Sequence, residues 1–122
     1  MIKVINKIEK LKQTTFKGYE KHTSAYNVKK AFDWVCDNFT YDNTPKPHED
    51  HTAYGGVIKG TTVCQGYATT IYALCKTMGV NARVVTSSFH AWNIVQIDGK
   101  YYNVDATWGD GYLEDSMPAY KN

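Results

Sequence analysis

The chain has 122 residues, 43% of them hydrophobic and 21% charged, with 14 basic against 12 acidic side chains and a formal net charge of +2. That is enough chain for one packed domain over residues 1–122 and too little for two, and the balance excludes a disordered segment. A charge this small makes no case for nucleic acid as a partner, and no apolar run approaches the roughly 20 residues that span a bilayer.

The start, MIKVINKIEKLKQ, is interrupted by lysines, so it is not a signal peptide. Eight of the 14 basic residues fall in the first thirty positions, at helical spacings with no aromatic platform between them, which reads as a solvated helix face. Three cysteines without a Cys-x-x-Cys pair support neither a disulfide framework nor a structural zinc site. Reduced thiols fit the cytoplasm; a domain of a larger surface protein is the alternative.

In chain order, Ile2, Ile5, Ile8 and Leu11, with Val4, predict a first amphipathic helix over 2–12. A second follows from Ala25 to Phe39, with Val28, Phe32, Val35 and Phe39 on one stripe and Lys29, Lys30, Asp33 and Asp37 facing water. Cys36 adjoins the stripe and reads as a packed thiol. YDNTPKPHEDHTAYGG, with two prolines and a Gly-Gly, reads as a long loop. Its His48 and His51 lack a third ligand, so they read as exposed loop residues and not as a metal pair.

TTVCQGYATTIYALCKTMGV predicts a third helix. Cys64, Ala68, Ile71, Cys75 and Met78 share its inward face, Thr61 or Thr62 caps its start, and Gly79 ends it. The period then changes to two: ARVVT, HAWNIVQI and KYYNVDAT read as strands, the last two joined by Asp98-Gly99. A two-residue turn there sets Ile97 opposite Lys100, Trp92 opposite Asp105 and His90 opposite Thr107. His90, Trp92 and Asp105 then share one face, with Asp105 diagonal to His90 at roughly 7–8 Å between backbones.

A histidine and an aspartate so placed are a base and its orienter, and Cys64 is the nucleophile to match. At a helix start its thiolate is favoured by unpaired N–H groups and the positive end of the dipole. Packing the inward face of that helix on the His90/Asp105 face of the sheet completes the set. Cys75, eleven residues further on, lies about 16 Å away along the axis and out of reach.

These residues resemble the transglutaminase-like superfamily, the papain-related group that includes bacterial transglutaminase-like domains. VCQGYA is similar to its nucleophile motif, HAWNIVQIDGKYYNVDATW to its histidine strand, turn and aspartate strand, and YNVKKAFDWVCDNFTYD to the preceding helix. The resemblance runs from about Tyr19 to Trp108. It implies an α+β, papain-like fold: N-terminal helices, a central Cys64 helix and a small antiparallel sheet.

It also implies cysteine-dependent acyl transfer or hydrolysis on protein or peptide amides. Cys64 forms a thioester, His90 moves the proton and Asp105 holds the imidazole, with an amine or water as acceptor. The Cys64 N–H supplies one oxyanion donor, and the second is sought among Tyr54, Gln65 and the Trp108 indole. Trp92 walls the site, and Gly66 permits close backbone approach or tight packing. No cofactor or metal is implied; the partners are a protein or peptide substrate and an amine acceptor. Only 17 residues follow Asp105, fewer than in family domains, so part of the sheet or of an acceptor wall is expected to be absent.

The rival enzyme is a papain-like cysteine peptidase or amidase. An arylamine acetyltransferase is disfavoured, because no Arg-Gly-Gly leads into Cys64. The rival from another class is a catalytically inactive binding module on the same fold, in which Cys64 is unreactive.

Overall fold

The computed structural model describes residues 2–42, 57–58, 60–88 and 90–108. Its elements are α1 (Ile2–Gln13), a short 3-10 turn (Tyr19–Lys21), α2 (Ser24–Asn38), β1 (Thr40–Tyr41), β2 (Thr61–Thr62), α3 (Cys64–Thr77), β3 (Ala82–Thr86), β4 (Ala91–Ile97), β5 (Lys100–Val104) and a second 3-10 turn (Ala106–Trp108). This is the expected α+β arrangement of helices followed by a three-stranded antiparallel sheet ordered β3-β4-β5.

The helices follow their apolar stripes, with one correction. In α1 the buried residues are Val4, Ile8 and Leu11, while Ile2 and Ile5 are exposed. At about 100° per residue, steps of four and three keep 4, 8 and 11 on one side. Repeated steps of three carry 5 and then 2 round to the water. In α2 the stripe Val28, Phe32, Val35 and Phe39 is buried as expected, and Thr23 caps the start by accepting from the Tyr26 N–H at 3.1 Å. Lys29 and Asp33, one turn apart, form an ion pair on its outer side.

The third helix is the hub, packed against α1, α2, β2, β3, β4 and the second 3-10 turn. Tyr67, Ala68, Ile71, Leu74 and Cys75 are all buried, together with Gly66 and Thr70, so its inward surface is far wider than one stripe. Its end is as expected: Gly79 takes φ 76, its N–H bonds Lys76 O at 3.1 Å, and the Val80 N–H bonds Cys75 O at 2.8 Å. Its start differs. The N-cap is Val63, with no side-chain cap, because Thr61 and Thr62 are taken up in β2.

β2 pairs in parallel with β1, Thr40 with Thr61 and Tyr41 with Thr62, so the chain leaving α2 clamps the segment leading into Cys64. The Asp42 N–H to Thr62 O bond of 2.8 Å extends the clamp. Gly66 is needed for packing: a Cβ there would lie 2.1 Å from Thr62 Oγ1 and 2.5 Å from its Cγ2.

The β4–β5 hairpin has the expected register, Ile97 opposite Lys100 through Asn93 opposite Val104, with Asp98 at φ 53 and Gly99 at φ 80 in the turn. Ala91, Asn93, Val95 and Ile97 form the buried face of β4. That is the face α3 packs on: Asn93 Nδ2 donates to Ala68 O at 2.9 Å. The expectation that α3 lies flat on the His90/Trp92 face is therefore corrected. The alternation of β4 sends its most completely buried residues to the odd positions, and the helix covers those.

Gly66→Ala should destabilise the fold by about 1–3 kcal/mol, as overpacking does. Adding Thr62→Ala, which removes the two nearest clashing atoms, should recover part of that loss. Urea unfolding of both single variants and the double variant measures this; additive losses would contradict it.

Candidate active site

His90 and Asp105 lie just outside the strands that deliver them, at the same end of the sheet. His90 precedes β4, and its carbonyl accepts from the Ser87 N–H at 2.8 Å, which continues the β3–β4 ladder into the turn. Asp105 follows β5 and is 3% exposed. The two side chains meet, His90 Nε2 against Asp105 Oδ2. The other carboxylate oxygen, Oδ1, accepts from the Thr107 backbone N–H at 3.1 Å. A buried carboxylate needs such partners, because leaving water unpaired costs several kcal/mol. With Nε2 turned to the carboxylate, the neutral imidazole carries its proton there and its lone pair on Nδ1.

Trp92 shares the outer face with His90, as expected. Its ring lies 5.8 Å from the imidazole, centroid to centroid, inclined by 19°. The indole Nε1–H donates to Asn103 Oδ1 at 3.1 Å, which fixes the ring over the histidine.

Cys64 is the first residue of α3, a half-buried, unbridged thiol. Its helix packs against both β4 and the 3-10 turn that follows Asp105. With Val63 as N-cap, the first-turn N–H groups of α3 have no side-chain cap. Gln65 is exposed. Trp108 closes the second 3-10 turn. Tyr54, His48 and His51 lie outside the described residues. Among the described residues no cluster of His, Cys, Asp and Glu has the makings of a metal site, and no helix is long and apolar enough to cross a membrane.

The other two thiols differ from Cys64. Cys75 is fully buried, and burial pushes its thiol up to about 12. Cys36 is half-buried and points its Sγ at Ala106 O, 3.6 Å away, beside Asp105. Tyr67, one turn along α3 from Cys64, has its phenol raised by burial and, to a smaller extent, by Cys36 and Tyr41.

Four contributors escape the motif reading: Asn103, which holds Trp92; the Thr107 N–H, which holds Asp105; Cys36, on the carbonyl of Ala106; and Asn93. Two left a trace. Asp105-Ala106-Thr107 has the spacing at which an aspartate accepts from the backbone two residues on, and Asn93 is an amide among the inward positions of an alternating strand.

The sequence profile of the Transglutaminase-like superfamily matches residues 9–106 of this chain. The chain belongs to the transglutaminase-like superfamily. The match begins ten residues before Tyr19 and so takes in the end of α1. Among curated proteins, the chain is similar to the kyphoscoliosis peptidases of Homo sapiens (29% identical) and Mus musculus (28%), with 78% of this chain and 17% of each relative covered.

Among solved structures, it is similar to one described as a TGase, with a TM-score of 0.68 and 21% identity over 87% of this chain and 32% of that one. It is also similar to a protein of Cytophaga hutchinsonii described as a candidate cysteine protease, with a TM-score of 0.63 and 25% identity over 82% of this chain and 37% of that one. The chain thus spans about a sixth of the length of the curated relatives and about a third of these structures. The superfamily's papain-like architecture is the one observed here.

Because Cys75 ionises at about 9 when unfolded and only near 12 in place, its stabilising contribution is full below pH 9 and is lost as pH rises toward 12. Folding stability should therefore decline above about pH 9, by at most ~1.4 kcal/mol per pH unit from this group. Cys75→Ala should remove that share of the slope in urea titrations between pH 8 and 11. An unchanged slope would show that Cys75 ionises normally in the folded chain.

Proposed function

We propose that the chain is a cysteine acyl-transfer enzyme acting on protein or peptide amides, with Cys64 as nucleophile, His90 as general base and acid, and Asp105 as orienter. The observation that carries the reading is the His90–Asp105 pair. A partly exposed imidazole is bonded through Nε2 to a buried carboxylate, at the end of the sheet beside the 3-10 turn on which the Cys64 helix packs. That leaves Nδ1 as the atom that exchanges a proton with the thiol. Membership of the superfamily supports the same reading.

In the first half-reaction the Cys64 thiol gives its proton to His90 Nδ1, and Sγ attacks the amide carbon. The tetrahedral oxyanion meets the backbone N–H of Cys64 at the start of α3, where the dipole is positive. Tyr54, Gln65 and Trp108 remain the choices for a second donor. His90 then returns the proton to the departing nitrogen, which leaves as ammonia or an amine, and a thioester remains. In the second half-reaction His90 deprotonates a primary amine or water, which attacks the thioester and frees Cys64. Trp92 keeps the imidazole in plane through both steps, and the Asp105 charge stabilises the imidazolium between them.

Water as the acceptor gives the peptidase or amidase reading. It is favoured by two of the similar proteins, one named a peptidase and one described as a candidate cysteine protease. Both readings share the Cys64 thioester, and the acceptor separates them. Incubation with casein and a fluorescent primary amine should attach the label to glutamine side chains, and Cys64→Ala should abolish it. Casein cleaved with no label attached would establish hydrolysis instead. Neither product, with an unreactive Cys64, would leave a binding module.

Asp105→Asn keeps the shape but loses the charge that fixes the tautomer. Turnover should fall by about 10³–10⁴-fold with an unchanged far-UV circular dichroism spectrum. A loss below tenfold would contradict the orienting role.

A further inference from the structure

We propose that Asn93 is a positioning residue, a latch that indexes the helix carrying Cys64 to the strand carrying His90. The inference rests on the proposed roles of those two residues and adds what holds them in mutual position.

Asn93 lies mid-β4 and is 1% exposed, on the face turned away from His90 and Trp92. Its Nδ2 donates to two carbonyls on two other elements: Ala68 O of α3 at 2.9 Å and Arg83 O of β3 at 3.3 Å. With oxygen acceptors on both sides, the nitrogen must face them, so the amide orientation is fixed. Its Oδ1 has no hydrogen-bond partner among the described residues. An apolar residue would avoid the cost of burying that oxygen. What the amide supplies in return is direction, since apolar contacts along β4 tolerate sliding and a hydrogen bond to one carbonyl does not.

The location makes that direction matter for the site. Ala68 is four residues from Cys64, about 6 Å along the helix axis, and Asn93 is three from His90, about 10 Å along the strand. Asn93 to Ala68 is a side-chain hydrogen bond that joins α3 to β4. It sits about one turn of helix behind the nucleophile and a few residues behind the base. A helix shifted or rotated there moves Sγ relative to Nδ1, and misplacement by about 1 Å can cost 10²-fold in rate.

The test is the rate of iodoacetamide alkylation of Cys64 at pH 6, read by peptide mass spectrometry. It is measured in the wild type, His90→Ala, Asn93→Leu, the Asn93→Leu/His90→Ala double variant and Val95→Ala. Asn93→Leu keeps the branching of the side chain and loses the donor; Val95→Ala loosens the same buried face without touching the latch. We expect His90→Ala to slow alkylation in the wild type and in Val95→Ala. In the Asn93→Leu background alkylation should already be slow, and removing His90 should add less than twofold.

A full His90 effect surviving in Asn93→Leu would overturn the latch, as would its loss in Val95→Ala, which would mean that any loosening suffices. A wild type with no His90 effect would overturn the proposed function and the latch with it. Should Asn93→Leu fail to fold, Asn93→Val, a residue suited to strands that carries no donor, decides on the same readings.

Discussion

The helix that begins at Cys64 is packed on several sides at once, and the other elements are arranged by what each must cover. Two helices, the sheet and the 3-10 turn after β5 all rest on it. That demand is plainest at Gly66, where a Cβ would lie 2.1 Å from the side chain of Thr62. It also fixes where chemistry is possible. A thiol eleven residues into such a helix, Cys75, has its pKa pushed up by burial and is held neutral. A thiol at its first residue is only half-buried and lies among uncapped N–H groups. One element thus supplies both an inert cysteine and an accessible one.

The second constraint is electrostatic. Asp105 is 3% exposed, and two partners meet its carboxylate from opposite directions: the imidazole of His90 and the backbone N–H of Thr107. The 3-10 turn after β5 follows from this, because it brings the Thr107 N–H back onto the carboxylate. The histidine is held on three sides, by Asp105 at Nε2, by the indole of Trp92 across its face, and by the β3–β4 turn at its own carbonyl. Those contacts leave the ring little rotational freedom, which suits a group that must take up and return one proton at a fixed place.

Much of this was legible because it is periodic or local. The Asp98-Gly99 turn needs positive φ at both residues, and that requirement set the β4–β5 register to the residue. The same register sets His90, Trp92 and Asp105 on one face from the sequence pattern alone. Residues that act at a distance were not legible. β1 and β2 are two residues each and pair across a long stretch of sequence, so no alternation announces them. Ile2 and Ile5 fit a spacing of three as well as Ile8 does, and only the drift of that spacing around the helix separates them. The side of the sheet covered by α3 is not legible in the sequence, because β4 carries apolar residues on both faces, Trp92 and Ile94 on one, Val95 and Ile97 on the other. Asn93, which ties that strand to the helix, has no neighbour in sequence to reveal its partners.

The central claim is that Cys64 and His90 work as a pair. Its most direct test is the rate of Cys64 alkylation from pH 4 to 10, followed by mass spectrometry, in the wild type and in His90→Ala. A working pair predicts a thiolate titrating well below the ~8.5 of a free cysteine, returning toward that value when His90 is removed. A profile that follows an ordinary thiol, or stays slow throughout and ignores His90, would contradict the account.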